Sequence, residues 1–219
     1  MFQYSGPGSQ QVSNRWGDSR TIWHKDLANK GYIIACVDGR GTGYKGAEFK
    51  KSTYLNLVKY ESIDQIEAAK SLGSLSYIDE SRIGIWGWSF GGHMAAQCLL
   101  TGEEVFSMAI AVAPVTNWRF YDTIYTERFM RTPQENPDGY DLNSPLNYAD
   151  KLKGKFLIIH GSADDNVHLQ NTMRMVEELI QEDKQFEWMI YPDKNHGIFG
   201  GNTRRHLYTK MTNFIFENL

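Results

Sequence analysis

The sequence predicts an α/β chain organised as a doubly wound, mostly parallel sheet. Three observations carry this prediction. Five short runs are almost continuously apolar and rich in β-branched residues. Helix-forming segments alternate with them along the chain. A tight glycine-rich turn, Gly87-Trp88-Ser89-Phe90-Gly91, stands directly between one such run and a helical segment. A run without polar alternation is expected when both faces of a parallel sheet are covered, and strict β–α–β alternation favours a sheet flanked by helices.

The expected strands are Tyr32 to Val37, Arg82 to Trp86, Met108 to Ala113, Phe156 to His160 and Phe186 to Tyr191. The first helix candidate, Ser62 to Leu72, places Ile63, Ile66, Ala69 and Leu72 on one stripe. Phe90 to Leu100, Leu169 to Gln181 and Thr203 to Glu217 follow the second, fourth and fifth strands as helices. No internal repeat, low-complexity run or block of like charge divides the chain, so residues 1–219 read as one domain.

Composition narrows the function. With 219 residues, 41% hydrophobic, the chain is long enough to bury a sizeable core. A net charge of -3 gives no electrostatic reason to expect nucleic acid or an anionic membrane as a partner. No apolar run approaches the ~20 residues that span a bilayer, and the first residues lack the basic start and apolar run of a signal peptide. Cys36 falls in an expected strand and Cys98 in an expected helix; both read as buried free thiols. No metal and no cofactor is expected.

In an open α/β sheet, ligands bind beyond the carboxyl ends of the strands, so the loops that follow the strands are where chemistry is sought. Residues 87–91 fit G-x-S-x-G between strand and helix, the context of a nucleophile elbow in the α/β-hydrolase fold. Ser89 is then the nucleophile, and glycine on either side relieves the crowding of a strained turn. Such a serine needs a base and a group to orient that base, in the chain order Ser, Asp/Glu, His. The loop after the fourth strand offers Asp164 and its neighbour Asp165, Asp164 being preferred. The loop after the fifth offers His196, followed by Gly197.

The backbone N–H of Phe90, the residue after the nucleophile, supplies one donor for an oxyanion. No HGGG motif is present; the early loop Tyr4-Ser5-Gly6-Pro7-Gly8 offers the Tyr4 hydroxyl as a candidate second donor. Gly41-Thr42-Gly43-Tyr44-Lys45-Gly46 fits G-x-G-x-x-G, but it neither opens a good helix at once nor leads promptly to a second strand. It reads as a turn beside the active site rather than a dinucleotide fingerprint. After the third strand, Trp118, Tyr121 and Tyr125 would cluster on a helical turn, as core packing or as an aromatic pocket.

Taken together, Tyr4-Ser5-Gly6-Pro7, Asp38 to Tyr44, Gly87 to Gly92, Trp118 to Arg128, His160 to Val167 and Asp193 to Gly197 resemble the dipeptidyl peptidase IV branch of the prolyl oligopeptidase family. The resemblance covers nearly the whole chain. It implies a Ser89–Asp164–His196 triad and an oxyanion hole of Tyr4 and Phe90. It also implies a proline-accepting pocket of Val115, Trp118, Tyr121, Tyr125 and Val167, with Asn166 binding the carbonyl of the preceding residue. The implied reaction releases N-terminal dipeptides ending in proline or alanine. Family members are often homodimers and work in the periplasm or outside the cell.

Departures are visible. Phe90 stands where the family often has tyrosine, His93 replaces a common tyrosine, and Met108 occupies the place of a disulfide cysteine of the mammalian form. Only three residues precede Tyr4. Neither the family's β-propeller, whose paired glutamates hold the substrate's amino terminus, nor the first strands of its sheet is found here. The chain is therefore expected to be a segment of a longer protein, weakly active or inactive alone. A carboxylesterase-like hydrolase and a non-catalytic relative are the alternatives.

Overall fold

The computed structural model describes residues 1–17 and 19–219. Four strands, β1 (Gly84–Trp88), β2 (Met108–Val112), β3 (Lys155–Gly161) and β4 (Glu187–Tyr191), pair in sequential order, and every pairing is parallel. All four carboxyl ends therefore lie along one edge. The helices are α1 (Ser19–Asn29), α2 (Ala47–Lys51), α3 (Lys59–Gly73), α4 (Phe90–Thr101), α5 (Thr123–Met130), α6 (Pro137–Asp141), α7 (Gln170–Gln181) and α8 (Thr203–Asn218).

The two faces of the sheet follow from the period of two in a strand. Ile85, Ala109, Ala111, Phe156 and Ile158 join α3, α4 and α7 in one core. Their neighbours Trp86, Met108, Ile110, Val112, Leu157 and Ile159 face α1 and α8 in a second core. The alanines of β2 are buried under α4, and their small size lets that helix lie close to the sheet.

Three expectations are corrected. Tyr32 to Val37 is not a strand: it makes a single parallel bridge, Cys36 to Phe2. Its neighbour there is the short segment Met1 to Gln3, which lies between residue 36 and β1. Phe2 donates its N–H to the Ala35 carbonyl at 2.9 Å, and the Met1 carbonyl accepts from Trp86 N–H at 2.9 Å. So few residues cannot extend a ladder. The inward stripe of α3 is also different. Ile63 is exposed, Ile66 and Leu72 are only partly covered, and the buried residues are Glu61, Ser62, Gln65, Ala69 and Gly73. Polar residues hold this face through bonds such as Gln65 Nε2 to the Val37 carbonyl at 2.8 Å. Finally, Cys98 is buried but Cys36 is only half-buried; both are free thiols.

The Gly41 to Gly46 segment is a turn followed by the five-residue α2. It docks on the early loop, Gly43 N–H donating to the Ser9 carbonyl and Gly8 N–H to the Gly41 carbonyl, both at 2.9 Å. A Cβ on Gly43 would stand 2.8 Å from the Gly8 carbonyl oxygen.

Candidate active site

The ends of β1, β3 and β4 each deliver one of the three groups expected of a triad, and the segment after β2 carries the aromatic residues. Ser89 follows β1 and precedes α4 with φ 61° and ψ -118°, a strained conformation for a residue with a Cβ. Its N–H donates to the Val112 carbonyl at 2.8 Å and its carbonyl accepts from His93 N–H at 3.1 Å, so the backbone is fixed from both sides. The hydroxyl does not cap the helix. The flanking glycines are required sterically: a Cβ on Gly87 would lie 2.3 Å from the Gly91 oxygen, and one on Gly91 2.6 Å from the Gln3 oxygen. Gly92 has the same role against β2, where a Cβ would meet the Val112 oxygen at 2.8 Å.

Asp164 lies in the loop after β3 and is buried, whereas Asp165 is exposed. Asp164 Oδ2 accepts from His196 Nδ1 at 2.7 Å. Its Oδ1 accepts from the N–H groups of Asn166, at 3.0 Å, and Val167, at 2.9 Å. Burial alone would raise this carboxyl. Hydrogen bonds from His160, His196 and Asn166, with the charge of His196, outweigh burial and hold it well below the usual carboxylate range.

The loop after β4 is drawn onto the loop after β3. Ala163 N–H donates to the Lys194 carbonyl at 3.0 Å, and Asp193 N–H to Ser162 Oγ at 2.8 Å. A Cβ on Gly161 would stand 2.2 Å from the Lys194 oxygen, so only glycine permits this approach. The His196 carbonyl then accepts from Trp88 Nε1 at 3.0 Å. Trp88 is the residue before Ser89, so this bond ties the histidine loop to the elbow.

Tyr4 reaches the same place through Gln3. Gln3 donates its backbone N–H to the Trp86 carbonyl at 3.3 Å and its Nε2 to the Gly91 carbonyl at 2.8 Å. The Tyr4 ring lies 6.1 Å from the Phe90 ring and folds back over Gly6, where a Cβ would meet Tyr4 Cε1 at 2.6 Å. Burial raises the Tyr4 hydroxyl, which keeps it a neutral donor. Phe90 is the first residue of α4, and the first N–H groups of a helix have no acceptor within it.

The aromatic residues cluster, though not on one helical turn. Trp118 lies in a 3-10 turn, Asp122 caps a new helix by accepting from Tyr125 N–H at 2.8 Å, and Tyr121 stands at the break. The Trp118 ring is 5.4 Å from Phe90, 5.9 Å from Tyr121 and 6.0 Å from Tyr125. Val115, Trp118 and Val167 are buried, while Tyr121 and Tyr125 remain half-buried. The Tyr121 hydroxyl donates to Asn166 Oδ1 at 2.8 Å. That contact leaves the amide's NH₂ group as its free donor face.

Sequence reasoning missed three supporting residues: Gln3, Trp88 and His160. Trp88 and His160 stand inside the motifs Gly87 to Gly92 and His160 to Val167 without a role assigned to them there, and Gln3 directly precedes the Tyr4 motif. His160 ends an apolar run with a polar side chain, which was the one available signal.

Comparison with known proteins agrees across the chain. The prolyl oligopeptidase family model matches residues 20–219. A protein of Botryotinia fuckeliana named "Probable dipeptidyl-aminopeptidase B" is 45% identical over 220 residues, covering 99% of this chain and 24% of the relative. One of the same name from Coccidioides posadasii is 44% identical, covering 97% and 23%. The crystal structure of Porphyromonas gingivalis dipeptidyl peptidase 4 superposes with a TM-score of 0.97 at 56% identity, covering 100% of this chain and 31% of that one. The chain thus spans about a quarter of the length of the curated relatives it matches.

Proposed function

Because the chain belongs to the prolyl oligopeptidase family, we propose that it is the hydrolytic domain of a serine dipeptidyl peptidase, cleaving after a proline or alanine second from the substrate's amino terminus. The single observation that carries the reading is the His196–Asp164 bond of 2.7 Å, anchored through Trp88 to the strained serine elbow. His196 Nδ1 is engaged by the carboxylate, which leaves Nε2 to take the Ser89 proton. Ser89 Oγ attacks the carbonyl that follows proline. The developing oxyanion is met by the Phe90 N–H and the Tyr4 hydroxyl. The tetrahedral adduct collapses as His196 returns the proton to the leaving amine. Water, activated by the same histidine, then releases the dipeptide from the acyl-enzyme.

Tyr121 and Tyr125 offer flat apolar surface suited to a pyrrolidine ring, backed by the buried Val115, Trp118 and Val167. Asn166, with its carbonyl oxygen held by Tyr121, directs its NH₂ toward the preceding carbonyl of the substrate. The curated relatives are about four times as long as this chain, so the groups that hold the substrate's amino terminus are assigned to the remainder of such a protein.

The test compares hydrolysis of a Gly-Pro chromogenic amide, its N-acetylated form and a short chromogenic ester by the full-length protein. The reading predicts turnover of the free-amino amide and little of the acetylated one. Cleavage of the ester alone would mark an esterase and contradict it.

A further inference from the structure

We infer that His160 is a positioning residue for the triad carboxylate, acting on the same oxygen of Asp164 that binds His196. This inference rests on the reading of Asp164 and His196 as triad members.

His160 stands at the end of β3 and is completely buried. Its Nε2 is 2.8 Å from the Val167 carbonyl oxygen and 3.2 Å from Asp164 Oδ2. Both neighbours are acceptors, so Nε2 must carry the hydrogen and shares it between them. Nδ1 lies 2.7 Å from Thr172 Oγ1 on α7, and in the neutral ring it accepts the threonine hydroxyl hydrogen. The tautomer is therefore set by chemistry at both nitrogens.

Two consequences follow. The ring ties the end of β3, the loop 161–167 and α7 together, fixing where Asp164 and Val167 stand. Its N–H also draws electron density from Oδ2. Asp164 thus sits between two imidazoles, one at 2.7 Å and one at 3.2 Å from the same oxygen. Withdrawing the weaker donor leaves more negative charge to the bond with His196, strengthening it.

The readout is the low-field proton resonance of the His196 Nδ1–H, followed by NMR in the folded chain without substrate. A protein that hydrolyses nothing would refute the proposed function yet still yield this resonance, so the two ideas fail separately. In His160→Phe, which keeps a ring but loses the donor, the resonance should move downfield. His160→Gln places an N–H near the position of Nε2 and should return it to the wild-type position. Thr172→Val keeps the ring and its tautomer but removes the hydroxyl that donates to Nδ1, which weakens the Nε2–H as a donor; it should produce a smaller downfield shift, and it carries the test if His160→Phe does not fold. An unshifted resonance in Thr172→Val and in folded His160→Phe would overturn the inference, as would a His160→Gln resonance displaced as far as that of His160→Phe.

Discussion

At the scale of single residues, Asp164 is held ionised against its own burial, and its worth depends on that charge. Asp164→Asn should keep the fold but lower turnover by on the order of 10⁴-fold, because the amide can impose the wrong histidine tautomer. The linkage has a definite sign. Asp164 is depressed in the folded state, so its stabilisation is complete above its unfolded value of about 3.9 and is lost as pH falls through the folded value. Urea titrations of wild type and Asp164→Asn should therefore differ at pH 7 and draw together in strong acid. Tyr4→Phe tests the second oxyanion donor. Its kcat should fall on the order of 10²-fold with KM little changed; an unchanged kcat would remove Tyr4 from the machinery.

At the scale of elements, α3 and the elbow carry the testable consequences. Burial pushes the Glu61 carboxyl at the start of α3 up to about 8. An acid raised on folding begins to cost stability once the unfolded chain loses its proton, and the cost grows until the folded chain loses its own. Stability should thus fall as pH rises from about 4.5 towards 8 and then level, and Glu61→Gln should gain about 3 kcal/mol at pH 7 by chemical denaturation. At the elbow, Gly91→Ala drives a Cβ to 2.6 Å from the Gln3 oxygen and should cost about 3 kcal/mol, losing Ser89 reactivity with it.

These elements also mark what was legible in the sequence. β1, β2 and β3 were readable because each is covered on both faces; β4, an edge strand with Trp188 exposed, was readable from its apolar and aromatic run, and all four runs fall within a residue or two of their observed bounds. The elbow was readable because its glycines obey a local steric need. The run 32–37 misled because a ladder depends on its neighbour, and Met1 to Gln3 offers it a single bridge. The α3 stripe misled because the polar Glu61, Ser62 and Gln65 share the inner face with Ala69 and Gly73, Gln65 donating to the Val37 carbonyl, so apolar periodicity does not mark it. The pocket cluster was expected on one turn, yet the Asp122 cap divides it. Trp88, Gln3 and His160 act through backbone carbonyls and a shared carboxylate oxygen, contacts that no spacing rule announces.

At the scale of the whole molecule, two cores clamp one parallel sheet whose carboxyl edge bears the site. The second core, facing α1 and α8, relies on α8, where Leu207, Met211, Phe214 and Ile215 are buried against the sheet. Phe214→Ala should cost about 3–5 kcal/mol, seen as a lower urea midpoint. The chain by itself holds all the groups assigned to bond cleavage but spans only about a quarter of its curated relatives. Reactivity of the serine and selection of the substrate should accordingly separate. The 219-residue chain should hydrolyse a Gly-Pro amide poorly compared with the full-length protein. The most direct test of the central assignment is therefore covalent labelling of this chain with a fluorophosphonate, with the modified peptide located by mass spectrometry. One adduct on Ser89, absent from Ser89→Ala and strongly reduced in Asp164→Asn, is the predicted result; an unlabelled Ser89 in the folded chain, or an adduct on another residue, would contradict it.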